Sequence, residues 1–171
     1  MKNKLTVLAL MLGAAGLATS AAHAQEKVKI GFITDMSSLY SDVEGKNGAL
    51  AIQMAIDDFG GKVLGQPIEM ISADHQNKAD IAASKAREWV DTQGVTMLFG
   101  GTNSGTALAI AKVAEEKKRV YFNNGAGSSA LTNEQCTPLH RALCLRHRGA
   151  GQRHGLCDCG RGRQELVLPD G

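Results

Sequence analysis

The residues best suited to bind an anion lie in a glycine-rich segment, residues 124–136, which reads NGAGSSALTNEQC and follows the apolar run RVYF. Gly125, Gly127 and Ala130 match the pattern G-x-G-x-x-[GA], which after a strand can hold a dinucleotide pyrophosphate on backbone N–H groups. The same spacing also fits a plain turn that needs positive φ, or a nest of N–H groups that holds a carboxylate. The motif alone therefore leaves a turn, a nucleotide site and a carboxylate site open.

The surroundings of this segment argue against a dinucleotide. A dinucleotide fingerprint normally opens the first βα unit, leads into a long helix, and is followed about 20 residues later by an acid for the ribose. Here the segment follows the fourth predicted strand, Thr137 and Pro138 block a long helix, and residues 144–150 contain no Asp or Glu. We therefore expect no nucleotide cofactor.

The elements that must position this segment predict an α/β fold with a doubly wound parallel sheet. Apolar runs alternate with amphipathic helical patterns in the order βαβαβαβ. Sheets of this kind are covered by helices on both faces and bind ligands beyond the carboxyl ends of their strands. The predicted strands are 27–35, 66–74, 95–101 and 119–124, and the predicted helices are 48–60, 80–94 and 103–118.

Two details of these helices can be predicted from the pattern. Asp80 is predicted to cap the second helix, since aspartate is a favoured N-cap residue. The first helix is predicted to bury one apolar side. That side comprises Leu50, Ile52, Met54, Ala55, Ile56 and Phe59.

Polar residues at the strand ends raise the question of catalysis or metal binding. Asp35 and Asp74 each end a predicted strand, but single acids with no nearby nucleophile are typical of turns and caps. His75 is a lone histidine, whereas a zinc site needs three or four ligands. The sequence also has no G-x-S-x-G elbow and no convergent acid and base. We therefore predict neither an enzyme nor a metal site.

The N-terminus has the pattern of a secretory signal peptide, residues 1–24. Two lysines precede an apolar run at 5–17, and an A-x-A site at 22–24 places cleavage before Gln25. An uncleaved membrane anchor is the alternative, but the run is short and rich in Gly and Ala. The pattern predicts a soluble periplasmic protein that is not embedded in the membrane.

The charge distribution gives no indication of nucleic-acid binding. The formal net charge of +2 includes the lysines of the signal and the arginines of the C-terminal tail. Residues 25–138 alone carry eleven basic and fourteen acidic side chains. A nucleic-acid surface would need Lys and Arg clustered on one face.

Three stretches carry a resemblance to a known family: KVKIGFITDMSSLYSD, GQPIEMISADHQNKADIAASKAREWVD and GGTNSGTALAIAKVAEEKKRVYFNNGAGSSALTNEQCTP. They resemble the periplasmic solute-binding proteins of branched-chain amino-acid-type ABC transporters, from residue 27 to residue 138. The resemblance implies that residues 25–138 are the incomplete N-terminal lobe of a type I periplasmic binding protein. Such a receptor closes its two lobes over a small ligand and delivers it to a membrane permease, and we expect a monomer.

The resemblance also implies a binding site for a carboxylate-bearing ligand in the loops after the strands. Because a helix N-terminus favours negative charge, this assignment agrees with the physics of the predicted third helix. Ser104 has the alternative role of a simple N-cap. The implied ligand-binding residues are Asn103, Ser104, Ala126, Gly127, Ser128 and, as a ring over the ligand, Tyr40.

The tail after Pro138 differs in character from the rest of the chain. Residues 139–171 contain six Arg, no Lys and three of the four Cys, and show neither helical nor strand periodicity, so we predict disorder. His154, Cys157 and Cys159 lack the C-x-x-C spacing of a structural zinc site. With suitable codons, residues 139–155 shifted by one base read YTVHYAYDTVALANGTG, which resembles the family's continuation.

These observations suggest that the reading frame slips near Pro138, with a genuine variant tail as the alternative. The chain would then lack the second lobe and bind ligand weakly or not at all. An α/β enzyme and a sensory ligand-binding domain of the same architecture are the alternative functions. The sequence leaves open the pairing of Cys136 and the identity of the ligand, which could be an amino acid, an amide or an aromatic carboxylate.

Overall fold

A computed structural model of the chain describes residues 27–147 and 152–158. The predicted signal peptide at 1–24 lies outside the described residues, as do positions 148–151 and 159–171 of the tail. Among the described helices, none has both the length and the apolar character needed to cross a bilayer.

Up to residue 123, the order of the elements confirms the predicted βαβαβαβ pattern and adds one short strand after the first helix, and a 3-10 turn and two further strands follow. The elements are β1 (Val28–Thr34), α1 (Gly45–Asp58), β2 (Lys62–Val63), β3 (Gln66–Asp74), α2 (Ala79–Thr92), β4 (Met97–Gly100), α3 (Ser104–Glu116), β5 (Val120–Asn123), a 3-10 turn (Ser129–Leu131), β6 (His140–His147) and β7 (Gln152–Asp158).

The strands form one mostly parallel sheet in the order β2-β3-β1-β4-β5-β6-β7. Strands β3, β1, β4, β5 and β6 pair in parallel, whereas β2 and β7 pair antiparallel at the two edges. The predicted α/β fold class is confirmed. The chain leaves β1 toward β3 on one side and later reaches β4 on the other, so the loops after β1 and β4 flank the switch point where such sheets bind ligands.

One face of the sheet carries the hydrophobic core, covered by α2 and α3. Trp89 of α2 is 4% exposed and packs directly on β1. A Cβ at Gly31 would lie 2.8 Å from Trp89 Cε3, so β1 has a glycine where the indole ring approaches its backbone.

The opposite face presents a row of aromatic rings across the central strands. Phe99 lies between Phe32, at 5.9 Å, and Phe122, at 5.2 Å. Helix α1 approaches this face through Gly48, whose Cβ position is 3.0 Å from Phe32 Cζ.

The predicted apolar side of α1 is wrong in part. Ile56 is buried and Ile52 is half-buried, but Leu50, Met54 and Phe59 are more than half exposed. At 100° per residue, the pair at 52 and 56 lies on the opposite side of the helix from the pair at 50 and 54. The apolar residues of α1 therefore form two stripes, of which only one packs on the sheet.

The predicted cap of α2 is also wrong. The helix begins at Ala79 with Lys78 in the N-cap position, so Asp80 lies inside the first turn. There its negative charge interacts favourably with the positive end of the helix dipole, although the side chain does not cap the helix.

The tail differs from the predicted disorder where it is described. Residues 140–147 form β6, with His140 opposite Tyr121 of β5, and residues 152–158 form β7. Without β6, strand β5 would be an edge with unpaired backbone groups, and the chain leaving Pro138 satisfies them. Cys136, just before this segment, is disulfide-bonded.

His140, the first residue of β6, is poorly matched to its surroundings. Its ring is 1% exposed and stacks on Tyr121 at 5.1 Å, yet neither ring nitrogen has a hydrogen-bond partner of good geometry within the described residues. Burial lowers the pKa of His140 to about 4. The nearby backbone of Leu131 opposes this lowering in part, and the positive charge of Arg141 adds to it.

This histidine should make the fold acid-sensitive. Because the unfolded state binds the proton near pH 6.5 and the folded state only near pH 4, stability should fall as pH drops through that window, by on the order of 3 kcal/mol. His140→Phe keeps a stacked ring without a titrating group and should lose less stability. Urea denaturation of both chains at the two ends of the window measures the difference, and equal pH dependence would contradict the assignment.

Candidate functional site

The candidate site lies where the carboxyl ends of β1, β4 and β5 meet at one edge of the sheet. These three strands are neighbours in the parallel order, so the loops that follow them converge. All six predicted ligand residues belong to these loops or to the first turn of α3.

A buried carboxylate, Glu44, connects the three loops. Glu44 is 7% exposed, and one of its oxygens accepts hydrogen bonds from the hydroxyls of Thr34 and Thr102. The other oxygen accepts from the side-chain amide of Asn124. These donors come from the end of β1, the loop after β4 and the residue after β5, so one side chain joins all three.

Sequence reasoning missed Glu44. The residue lies in the polar stretch SSLYSDVEGKNG, where nothing in the pattern indicates burial. The one available signal is its position directly before α1, where an acid could cap the helix. Glu44 makes no side-chain cap, because its carboxylate is bonded to the strand ends instead.

Asp35 and Asp74 shape the loop after β1, in agreement with their predicted role as turn residues. Asp35 accepts hydrogen bonds from the Ser38 backbone N–H at 2.9 Å, the Ser38 hydroxyl at 2.5 Å and the Tyr40 N–H at 2.9 Å. Asp74 accepts from the Met36 N–H at 3.0 Å. Burial would raise the pKa of both acids, but these hydrogen bonds outweigh it and lower both values.

Tyr40 therefore has a well-defined backbone position in this loop. Its N–H is held by Asp35, and its carbonyl accepts from Val43 and Glu44. The side chain is half-buried, and its hydroxyl makes no hydrogen bond within the described residues.

Asn103 and Ser104 start α3, and the structure separates their roles. The Asn103 side chain is the N-cap and accepts from the N–H groups of Gly105, at 2.7 Å, and Thr106, at 3.3 Å. Ser104 is the first helical residue, so the alternative that it is the cap is wrong. Its hydroxyl has no partner in the described part of the chain, whereas the Asn103 side-chain oxygen is already used.

The glycine-rich segment forms a turn closed by Asn123. The buried Asn123 side-chain oxygen accepts from the N–H groups of Gly125, at 3.2 Å, and Ala126, at 3.0 Å. The N–H groups of Gly127 and Ser128 make no hydrogen bond within residues 27–147 and 152–158. Gly127 is exposed, so these two donors are available to an anion whereas that of Ala126 is occupied.

The loop after β4, residues 101–103, is in direct contact with the glycine-rich segment. A Cβ at Gly125 would lie 3.2 Å from Thr102 Cα, so a larger residue there would have to push Thr102 away by a few tenths of an ångström. Gly101 has φ +91°, and its Cβ position is 2.4 Å from the buried Tyr121 hydroxyl. That hydroxyl donates to the Gly100 carbonyl at 2.8 Å and secures the start of the loop.

His75 is fully buried beside the site. Its Nδ1 accepts from the Asn77 N–H at 2.9 Å, and its Nε2 has no partner among the described residues. Burial lowers the pKa of His75, against the opposing negative charges of Asp35, Asp74 and Glu44. The described residues contain no group of three or more metal-ligating side chains.

Comparison with known proteins identifies the family. Residues 27–143 match the family model described as periplasmic binding protein, so the chain belongs to the periplasmic binding protein family. A crystal structure of a periplasmic binding protein from Burkholderia mallei is 64% identical, with a TM-score of 0.66, over 68% of this chain and 32% of that one.

Two further proteins are similar to this chain. A branched-chain amino acid ABC transporter periplasmic ligand-binding protein from Burkholderia xenovorans LB400 is 46% identical, with a TM-score of 0.64, over 66% of this chain and 30% of that one. The Leu/Ile/Val-binding protein homolog 7 of Brucella melitensis biotype 1 is 27% identical over 78% of this chain and 33% of its own length. The chain thus spans about a third of the length of these relatives.

Proposed function

We propose that this lobe belongs to the extracytoplasmic substrate-binding component of an ABC importer. It binds a small carboxylate-bearing solute, an amino acid or a related acid or amide, for delivery to the membrane permease. The family assignment and the names of the relatives support this function, and neither describes an enzyme. We place the mature protein in the periplasm as a monomer, exported by the signal peptide at 1–24.

The observation that carries the ligand chemistry is the set of unused donors at the strand ends. The Ser104 hydroxyl and the N–H groups of Gly127 and Ser128 have no acceptor within the described residues, while the neighbouring N–H groups are bonded to Asn103 and Asn123. A carboxylate would accept from these donors, of which the Ser104 hydroxyl lies in the first turn of α3, where the helix dipole favours negative charge. The half-buried ring of Tyr40 would cover the apolar part of the ligand.

The described residues form only one wall of such a site. Tight small-molecule sites bury most of the ligand surface, and an open edge loses many of those contacts. We therefore expect the 171-residue chain to bind with a dissociation constant of about 1 mM or weaker, on the order of 4 kcal/mol.

A titration of the mature chain tests the ligand chemistry. We expect L-isoleucine or an aromatic carboxylate to bind, and the matching amide without a carboxylate to bind at least about tenfold more weakly, because it cannot accept charge-assisted hydrogen bonds. Ser104→Ala should weaken binding of the acid by a similar factor, and Ser84→Ala, an exposed serine on α2, should not. Equal affinity for the acid and the amide would contradict the carboxylate site. A micromolar dissociation constant would contradict the expectation that the ligand is contacted from one side only.

We also propose that the tail from residue 139 arises from a slip of the reading frame near Pro138. The amino-acid composition of the tail supports this hypothesis. So does the buried His140, whose ring nitrogens have no hydrogen-bond partner of good geometry within the described residues. Sequencing the coding DNA across this position tests it. We expect the shifted frame to continue with family-like sequence for several hundred bases, and its absence there would contradict the hypothesis.

A further inference from the structure

We propose that Glu44 is a positioning residue that fixes the loop after β4 and the glycine-rich segment relative to the loop that carries Tyr40. This inference rests on the proposed function, because it concerns the same site. Glu44 does not face the ligand in this account; it acts through Thr102 and Asn124, each of which adjoins residues that would contact the ligand.

The Glu44 side chain reaches the loops after all three strands. Glu44 lies four residues after Tyr40, and the Glu44 N–H donates to the Tyr40 carbonyl at 3.4 Å, so the covering loop and the carboxylate belong to one turn. From there the carboxylate accepts from Thr102, next to Asn103 and Ser104, and from Asn124, three residues before Gly127. No other side chain in the described residues is bonded to the loops after β1, β4 and β5 together.

Loss of the Glu44 carboxylate would leave its donors without an acceptor. Thr34 is fully buried and Thr102 is partly buried, so without Glu44 their hydroxyls would lose a partner in a place that water reaches poorly. The loops would then regain the freedom that the bonds remove. Because Thr102 packs against Gly125, movement of either loop would displace both sets of donors.

A side chain at position 44 can make this connection by hydrogen bonding without a negative charge. The Asn124 side-chain oxygen is buried and has no hydrogen-bond partner among the residues that the structure describes. A glutamine at position 44 could accept from both threonine hydroxyls through its oxygen and donate its amide to that oxygen after a flip of Asn124. Glu44→Gln should therefore preserve the connection, whereas Glu44→Ala should remove it.

Hydrogen exchange of the mature chain without ligand tests the inference. In Glu44→Ala we expect the amides of Gly105, Thr106, Gly125 and Ala126 to exchange at least about tenfold faster, with the amides of α2 unchanged. Glu44→Gln should exchange like the unmodified chain. The control Asp42→Ala removes an exposed acid from the same loop and should also have no effect.

A gentler variant keeps the test decisive if Glu44→Ala does not fold. Thr34→Val preserves side-chain shape but removes the donor at the end of β1, and should accelerate exchange in both later loops. Unchanged exchange in those loops, an equal rise in α2, or no rescue by glutamine would each overturn the inference. Since no ligand is present, these results are independent of whether the proposed function holds.

Discussion

The arrangement of the loops at the carboxyl ends of β1, β4 and β5 depends on one buried carboxylate, that of Glu44. A parallel sheet brings the ends of β1, β4 and β5 together, but it leaves the loops beyond them without backbone pairing. Glu44 supplies the missing connection by accepting three side-chain hydrogen bonds, one from each strand end or its loop. Buried polar groups of this kind are stabilising only when they are paired, so the loops and the acid require each other.

The remaining polar residues at this edge have two roles: some shape the loops, and others have donors left for a ligand. Asp35, Asn103 and Asn123 each use a side-chain oxygen to bind backbone N–H groups of their own turn, which shapes the three loops individually. What these residues do not use is available to a ligand: the Ser104 hydroxyl and the donors at Gly127 and Ser128. The candidate site is therefore marked by three donors that have no acceptor within the described residues.

The sequence predicted four of the seven described strands, the sheet type and the loops of the site, because apolar runs and glycine-rich turns are local signals. It did not predict Glu44, since burial of an acid in a polar loop depends on partners 58 and 80 residues away. It also assigned one apolar side to α1 where there are two stripes, because composition does not show which stripe meets the sheet. Strand β6 was missed for a similar reason, since pairing with β5 overrides its weak intrinsic pattern.

The central claim is that the donors at the strand ends bind a carboxylate, and a crystal structure of the mature chain with ligand tests it most directly. The ligand would be L-isoleucine, or the carboxylate that binds best, at a concentration well above its dissociation constant. The account predicts that the ligand carboxylate lies within hydrogen-bond distance of the Ser104 hydroxyl and the Gly127 and Ser128 N–H groups, beside the Tyr40 ring. A carboxylate bound elsewhere, with these donors still facing solvent, would contradict it.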